Sequence, residues 1–200
     1  MENVLSLLRE SGAMLEGHFL LSSGRHSDKY FQCAKLLQYP DKACAALAGV
    51  AEQIRLDIKA GKLKIDAVAG PAMGGIIVAY ELGRQLGLPA FFTERDDTGK
   101  MSVRRGFEVK PGQKILLTED VITTGKSSGE CAAVLEAAGA QITAIACLVD
   151  RRGAGTDVFP LPARWLFYPA CTVNAANWEA GSCELCKKGI PAVKPGSRKI

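Results

Sequence analysis

The 200-residue chain carries no strong excess of charge of either sign: 25 Lys and Arg against 21 Asp and Glu leave a net +4. With no long basic stripe interleaved with aromatics, that balance gives no argument for nucleic acid as a partner. Long hydrophobic runs are also missing. The longest apolar stretch, Ala67 to Tyr80, is too short to span a bilayer and contains Pro71 and three glycines. The N-terminal MENVLSLLRE lacks a basic leader and carries charge inside its apolar run, which is not the pattern of a secretory signal. Seven cysteines make an odd number without the spacing of a disulfide framework, so a reducing cytoplasm is the expected compartment. What is present is ordinary for a folded protein. At 48% hydrophobic and 23% charged residues the composition argues against disorder, and 200 residues suit a single domain, 1–200, with a full core.

One stretch organises the chain: Ile115 to Gly129, ILLTEDVITTGKSSG. Ile115 to Thr118 read as a short buried strand and the residues from Ser127 on as a helix. Between them stand two acids, Glu119 and Asp120, and the run Thr123-Thr124-Gly125-Lys126-Ser127-Ser128. A Gly/Ser/Thr loop that ends a strand and opens a helix aims several backbone N–H groups at one place, where the helix N-terminus adds about half a positive charge. That makes a seat for a phosphate. A nucleotide triphosphate loop is the competing pattern, since Gly125-Lys126-Ser127 matches the tail of G-x-x-x-x-G-K-[ST]. Its first glycine would fall at Asp120, where a carboxylate about 4 Å from a phosphate charge costs on the order of 4 kcal/mol at an effective dielectric near 20. A sugar phosphate fits better: the acids accept hydrogen bonds from ribose hydroxyls or hold a metal through water, while the 5′-phosphate sits on the loop.

Taken in order, Val4, Leu5, Leu7 and Leu8 predict a short helix over 2–11, stopped by Gly12. Met14 to Leu21 and Lys29 to Cys33 are β-like on either side of a turn-rich run, which reads as a hairpin or hood. Pro40 opens a helix that Gly61 ends, with Cys44, Leu47, Ala48, Ala51, Ile54 and Ile58 on one face. Ile65 to Ala69 is a buried strand running into Gly70-Pro71-Ala72-Met73-Gly74-Gly75, a second phosphate-binding loop, and a helix follows from about Ile76 to Leu86. Ala90 to Thr93 is a third short strand, and 94–106, with mixed charge and no apolar period, reads as a mobile loop. After Ile115 to Thr118 comes a helix starting with a capping box, Ser127-x-x-Glu130, and ending at Gly139; Ile142 to Val149 and Trp165 to Tyr168 are further strands. Strands alternating with helices predict an α/β fold with a right-handed parallel sheet, whose ligands bind at the carboxyl ends of the strands.

Hydrophobic strand, acidic pair, then Val121-Ile122-Thr123-Thr124-Gly125 resembles the 5-phosphoribosyl-1-pyrophosphate (PRPP) signature of the type I phosphoribosyltransferases. Beyond it, Ser23-Gly24-Arg25-His26-Ser27-Asp28-Lys29-Tyr30-Phe31, the Gly70-Pro71-Ala72 loop and Leu148-Val149-Asp150-Arg151 resemble the orotate phosphoribosyltransferases in particular, over nearly the whole chain. The resemblance implies that family's parallel-sheet fold, helices on both faces, and a small hood from about 1–35 and 165–200. It implies a PRPP site at Glu119, Asp120, Val121, Ile122, Thr123, Thr124, Gly125, Lys126 and Ser127, with Gly70, Pro71, Ala72 and Gly74 at the pyrophosphate. Thr123 and Arg151 would contact orotate under a base-side hood of Tyr30 and Phe31. A guanidinium suits orotate because its planar fork matches a carboxylate and ring carbonyls. The alternatives are a surface ion pair of Arg151 with Asp150 or a neighbour, and plain core packing for the two aromatics.

The chain departs from the best-known members at two positions: it has His26 where they carry a lysine after Ser-Gly-Arg, and Gly74 where they carry one in the pyrophosphate loop. In the 94–106 lid, Arg95, Lys100, Arg104 and Arg105 are the cations expected to stabilise the leaving pyrophosphate, with Lys100 the foremost catalytic candidate and His26 a further pyrophosphate contact. The resemblance further implies Mg²⁺, held mainly by PRPP and through water by Glu119 and Asp120, and a homodimer whose lid reaches the neighbouring site. Two rivals share the fold: a purine phosphoribosyltransferase, which would lack the Ser-Gly-Arg hood and Arg151, and a PRPP-sensing regulator that binds nucleic acid. Cys183-x-x-Cys186 invites a zinc reading with Cys171 and Cys33, but a structural site wants four ligands and only one pair exists, so incidental thiols are the default. The Lys/Arg-rich tail from Lys187 to Lys199 reads as a solvated end.

Overall fold

The computed structural model describes residues 2–21, 23–152 and 162–195. Helix α1 (Glu2–Glu10) precedes a hairpin of β1 (Met14–Leu20) and β2 (His26–Phe31). A single turn, α2 (Ala34–Leu37), leads to α3 (Pro40–Lys59), which begins on proline, where a missing N–H costs nothing. Then follow β3 (Ala67–Pro71), α4 (Gly74–Leu86), β4 (Ala90–Arg95), β5 (Met101–Val103), β6 (Lys114–Ile122), α5 (Lys126–Ala137), β7 (Gln141–Asp150) and β8 (Leu166–Thr172). A 3₁₀ turn (Ala180–Ser182) and α6 (Glu184–Lys187) complete the described elements.

Six strands form one sheet in the order β5-β4-β3-β6-β7-β8, parallel except where β5 folds back on β4. The chain leaves β3 toward one edge and β6 toward the other, so the order reverses between these two neighbours. In an open parallel sheet that reversal opens a crevice at the carboxyl ends of the strands. Both faces are buried, as the period of two requires. Val68, Leu116, Ala144, Ala146 and Leu148 face a core shared with α1 to α4, and Ala67, Ala69, Ile115, Leu117, Ile145 and Cys147 face a second core with α5.

Four expectations change in detail. The 94–106 run is a β-hairpin rather than an unstructured loop: Asp96 accepts hydrogen bonds from the Thr98 and Lys100 N–H groups, and Gly99 takes φ 81°. Strand β6 runs on to Ile122, so the acids lie on the strand's end. The capping box does not form: Gly125, in the left-handed region at φ 74°, is the N-cap, the helix starts at Lys126, and Glu130 pairs with Arg95. On α3, Ala48 and Ile58 lie exposed, the buried stripe being Ala43, Ala46, Leu47, Val50, Ala51 and Ile54. Among the described residues no helix is long and apolar enough to cross a membrane.

A candidate active site between two strand ends

The loop after β3 lies against the end of β6. A Cβ on Gly70 would stand 2.4 Å from the Gly75 carbonyl oxygen and 2.5 Å from Thr118 Oγ1, so only glycine allows this approach. The Thr118 hydroxyl lies 3.2 Å from the Gly75 carbonyl and 3.3 Å from that of Ala69, and the Ala72 N–H donates to the Thr93 carbonyl at 2.7 Å. Gly74 opens α4, and a Cβ there would collide with the Asp120 carboxylate at 2.2–2.5 Å. Gly74, where the resemblance led us to expect a lysine, is thus the contact between the two loops.

Glu119 is buried and Asp120 half-buried. Burial pushes the Glu119 carboxyl well above the usual carboxylate range, and the adjacent Asp120 charge adds to it. Asp120 Oδ1 accepts from the Val121 N–H at 2.8 Å, and its other oxygen has no protein donor among the described residues. Val121 and Ile122 pack into the two cores, so only their backbones face a ligand. Thr123 and Thr124 are exposed, Gly125 is buried, and Lys126 and Ser127 lie exposed in the first turn of α5. The buried Ser128 hydroxyl in the same turn has no partner among the described residues. Residues 123–125 thus lead directly into the N-terminus of α5, the position in which backbone N–H groups suit an anion.

Arg151 leaves the end of β7 beside β6, its N–H donating to the Ile122 carbonyl at 2.8 Å. Asp150 does not neutralise it: that carboxylate is taken by Arg152, at 2.9 and 3.1 Å. Arg151 instead lies over the Phe31 ring, 5.3 Å from its centroid, with Nη2 donating to Ser27 Oγ at 3.0 Å. Its Nε is buried without a partner, and burial holds the guanidinium below its ordinary pKa, with Asp28 opposing. Tyr30 is not brought to the same place. Neighbours on a strand face opposite sides, and Tyr30 pairs with Leu15 and donates its hydroxyl to Gln32 Oε1, while Phe31 pairs with Met14. Ser27 received no role from sequence; a fully buried serine in a strand beside charged residues is the signal that could have found it.

Two of the four lid cations are engaged. Arg105 makes a bidentate pair with Glu94 at 2.8 and 3.0 Å, and Arg95 pairs with Glu130. Lys100, in the hairpin turn, and Arg104, just past β5, make no ion pair among the described residues. His26, expected at the pyrophosphate, is buried, with its Nδ1 2.7 Å from His18 Nε2 and 3.4 Å from Cys186 Sγ. Cys33 and Cys171 lie elsewhere, their thiols facing the Asp120 and Leu148 carbonyls. A cavity of about 770 Å³ is at the amino ends of β6 and β7, lined by Lys62, Lys64, Lys114, Gln141 and Arg164 among others. Ligands of such sheets bind at the opposite end, so the cavity carries no argument about the chemistry.

A family described as "Phosphoribosyl transferase domain" matches residues 37–158. The orotate phosphoribosyltransferase of Acidithiobacillus ferrooxidans is 45% identical, over 100% of this chain and 98% of that protein. Among solved structures, orotate phosphoribosyltransferase from Aeropyrum pernix aligns with a TM-score of 0.67 at 27% identity, covering 85% of this chain and 93% of that one. Leishmania donovani UMP synthase shares the fold at a TM-score of 0.66 and 22% identity, covering 85% of this chain and 36% of that one. With the strand-end crevice, its acidic pair and its amide-lined loop, these likenesses show that the chain belongs to the phosphoribosyl transferase family and, within it, to the orotate phosphoribosyltransferases.

Proposed function

We propose that the chain transfers the 5-phosphoribosyl group from PRPP to orotate, giving orotidine 5′-phosphate and pyrophosphate, a step of pyrimidine synthesis. The observation that carries this reading is Arg151: a part-buried guanidinium with an unpartnered Nε and no carboxylate partner among the described residues, at the end of the strand next to the one that carries the acidic pair. A guanidinium left in this state favours an anionic, planar ligand such as orotate.

Breaking the C1–oxygen bond of PRPP leaves positive charge on the ribose and negative charge on pyrophosphate, so separated charge is what must be stabilised. Glu119 and Asp120 accept hydrogen bonds from the ribose hydroxyls, and the N–H groups of 123–127 hold the 5′-phosphate. Backbone N–H groups of 70–75 and the hairpin cations Lys100 and Arg104 face the leaving group, with Arg95 and Arg105 released from surface pairs worth about 0–1 kcal/mol. A ring nitrogen of orotate then attacks C1 with inversion, while the closed hairpin keeps out water. Mg²⁺, when bound, supplies charge neutralisation for the pyrophosphate. The hard carboxylate oxygens fit it, above all the Asp120 oxygen without a protein donor, since Mg²⁺ takes few protein ligands and keeps several waters.

A homodimer is part of the proposal, with the lid of one protomer over the site of the other. It is supported by Met73, Ile77 and Tyr80, which form one stripe on α4, 81%, 40% and 68% exposed, starting in the loop after β3. Residence in a reducing cytoplasm is supported by seven free cysteines. Incubation with PRPP, Mg²⁺ and orotate, following loss of orotate absorbance, tests the function. Loss that requires all three supports it; no loss, or turnover of a purine base instead, refutes it.

A further inference from the structure

Both histidines of the chain and its one Cys-x-x-Cys pair meet in the hood. His18 comes from β1 and His26 from β2, brought side by side by an irregularity of the hairpin between Glu16 and Phe19. Cys183 caps α6, and Cys186 follows one helical turn later. One ligand atom from each of the four lies within 4.8 Å of every other.

The distances match a tetrahedral centre. Zinc bonds of about 2.0–2.1 Å to nitrogen and 2.3 Å to sulfur imply ligand-to-ligand edges of roughly 3.3–3.8 Å. Cys183 Sγ lies 3.3 Å and Cys186 Sγ 3.8 Å from His18 Nε2, and Cys186 Sγ lies 3.4 Å from His26 Nδ1. The two nitrogens, at 2.7 Å, need to part by about 0.6 Å to reach such an edge. His18 is already oriented as a ligand: its Nδ1 lies 2.7 Å from the Ile190 carbonyl, and donating there leaves Nε2 with its lone pair toward the cluster. His18, His26 and Cys183 are buried, and only Cys186 reaches solvent.

We propose that His18, His26, Cys183 and Cys186 bind Zn²⁺ in a closed structural site that clamps the C-terminal segment onto the N-terminal hairpin. Each thiol gives its proton to solvent as it bonds the metal, so a dication and two thiolates form a neutral unit and no electrons move. Four protein ligands leave no open position for a substrate, which makes the site structural. The segments it would join also meet through backbone pairs, Leu20 N–H to Val193 O at 2.9 Å and His26 N–H to Trp178 O at 2.8 Å. Beside His26 on β2 stands Ser27, the partner of Arg151. The inference does not depend on the proposed transferase activity.

Metal analysis of the full chain, purified without chelators after growth with added zinc, tests it. The expected content is about one zinc per chain, falling below about one tenth in Cys186→Ser and in Cys183→Ser, with zinc released as a mercurial titrates the thiols. Should Cys183→Ser fail to fold, the surface variant Cys186→Ser and the wild-type stoichiometry still decide. Cobalt in place of zinc is expected to give the strong visible bands of a tetrahedral thiolate site. A zinc-free wild-type chain that takes up no zinc on addition, a Cys183–Cys186 disulfide, or zinc retained in both variants would each overturn the proposal.

Discussion

Keeping Glu119 ionised in a buried position costs the folded state free energy that the unfolded chain does not lose. With a folded-state pKa above the ordinary 4.5, the stability tied to its neutral carboxyl is full below that pH and is lost as pH rises through the raised value. Glu119→Gln is therefore expected to melt higher than wild type at pH 8, by about 2–4 °C for about 1 kcal/mol, with the gap closing toward acid. The same variant should bind PRPP more weakly, because an amide is a poorer acceptor for ribose hydroxyls. Arg151 gives a complementary prediction. Arg151→Lys keeps the charge and loses the fork, so KM for orotate is expected to rise about 10- to 100-fold, with KM for PRPP little changed. Equal rises in both constants would remove Arg151 from the base side. Arg151 was singled out from the run Leu148 to Arg151; that Arg152 would take Asp150 was not legible, because neighbouring arginines are equivalent until backbone direction separates them.

At the scale of elements, the proposal makes the β4–β5 hairpin the part that moves. It is tied by exposed pairs, Arg95 with Glu130 and Arg105 with Glu94, which are weak enough to exchange for a polyanion. Lys100→Ala should lower kcat about 10²- to 10³-fold while PRPP still binds, as expected when one stabilising donor is lost from the transition state. Wild-type turnover in a stopped assay would shift the role to Arg104. The alternation of strands and helices, both glycine loops and the acidic pair were readable because each rests on a local pattern. Strand β5 was not: three residues, Met101-Ser102-Val103, are too few for a period, and the turn depends on the Asp96 side chain. The His-Cys cluster was illegible for the opposite reason. Its two histidines lie 157 to 168 positions from its two cysteines, across the hairpin and the tail, so the spacing that pairs Cys183 with Cys186 does not lead to them.

For the whole molecule, the order reversal between β3 and β6 brings the loops after these two strands together, and the exposed apolar stripe of α4 beside one of them is the surface proposed for a second copy. Tyr80→Glu places a charge in that stripe and is expected to weaken the dimer by about 30-fold or more, the scale of a 2 kcal/mol hot spot. Light scattering at micromolar concentration reads the mass. Under the proposed arrangement, with the lid over the neighbouring site, activity should fall with the dimer; a fully active monomer would remove the lid from that role. The most direct test of the reading is a crystal structure with Mg²⁺ and PRPP. The ribose hydroxyls are expected on Glu119 and Asp120, with the 5′-phosphate on the amides of 123–127. PRPP bound away from that crevice, or with the sugar turned from both acids, would contradict it.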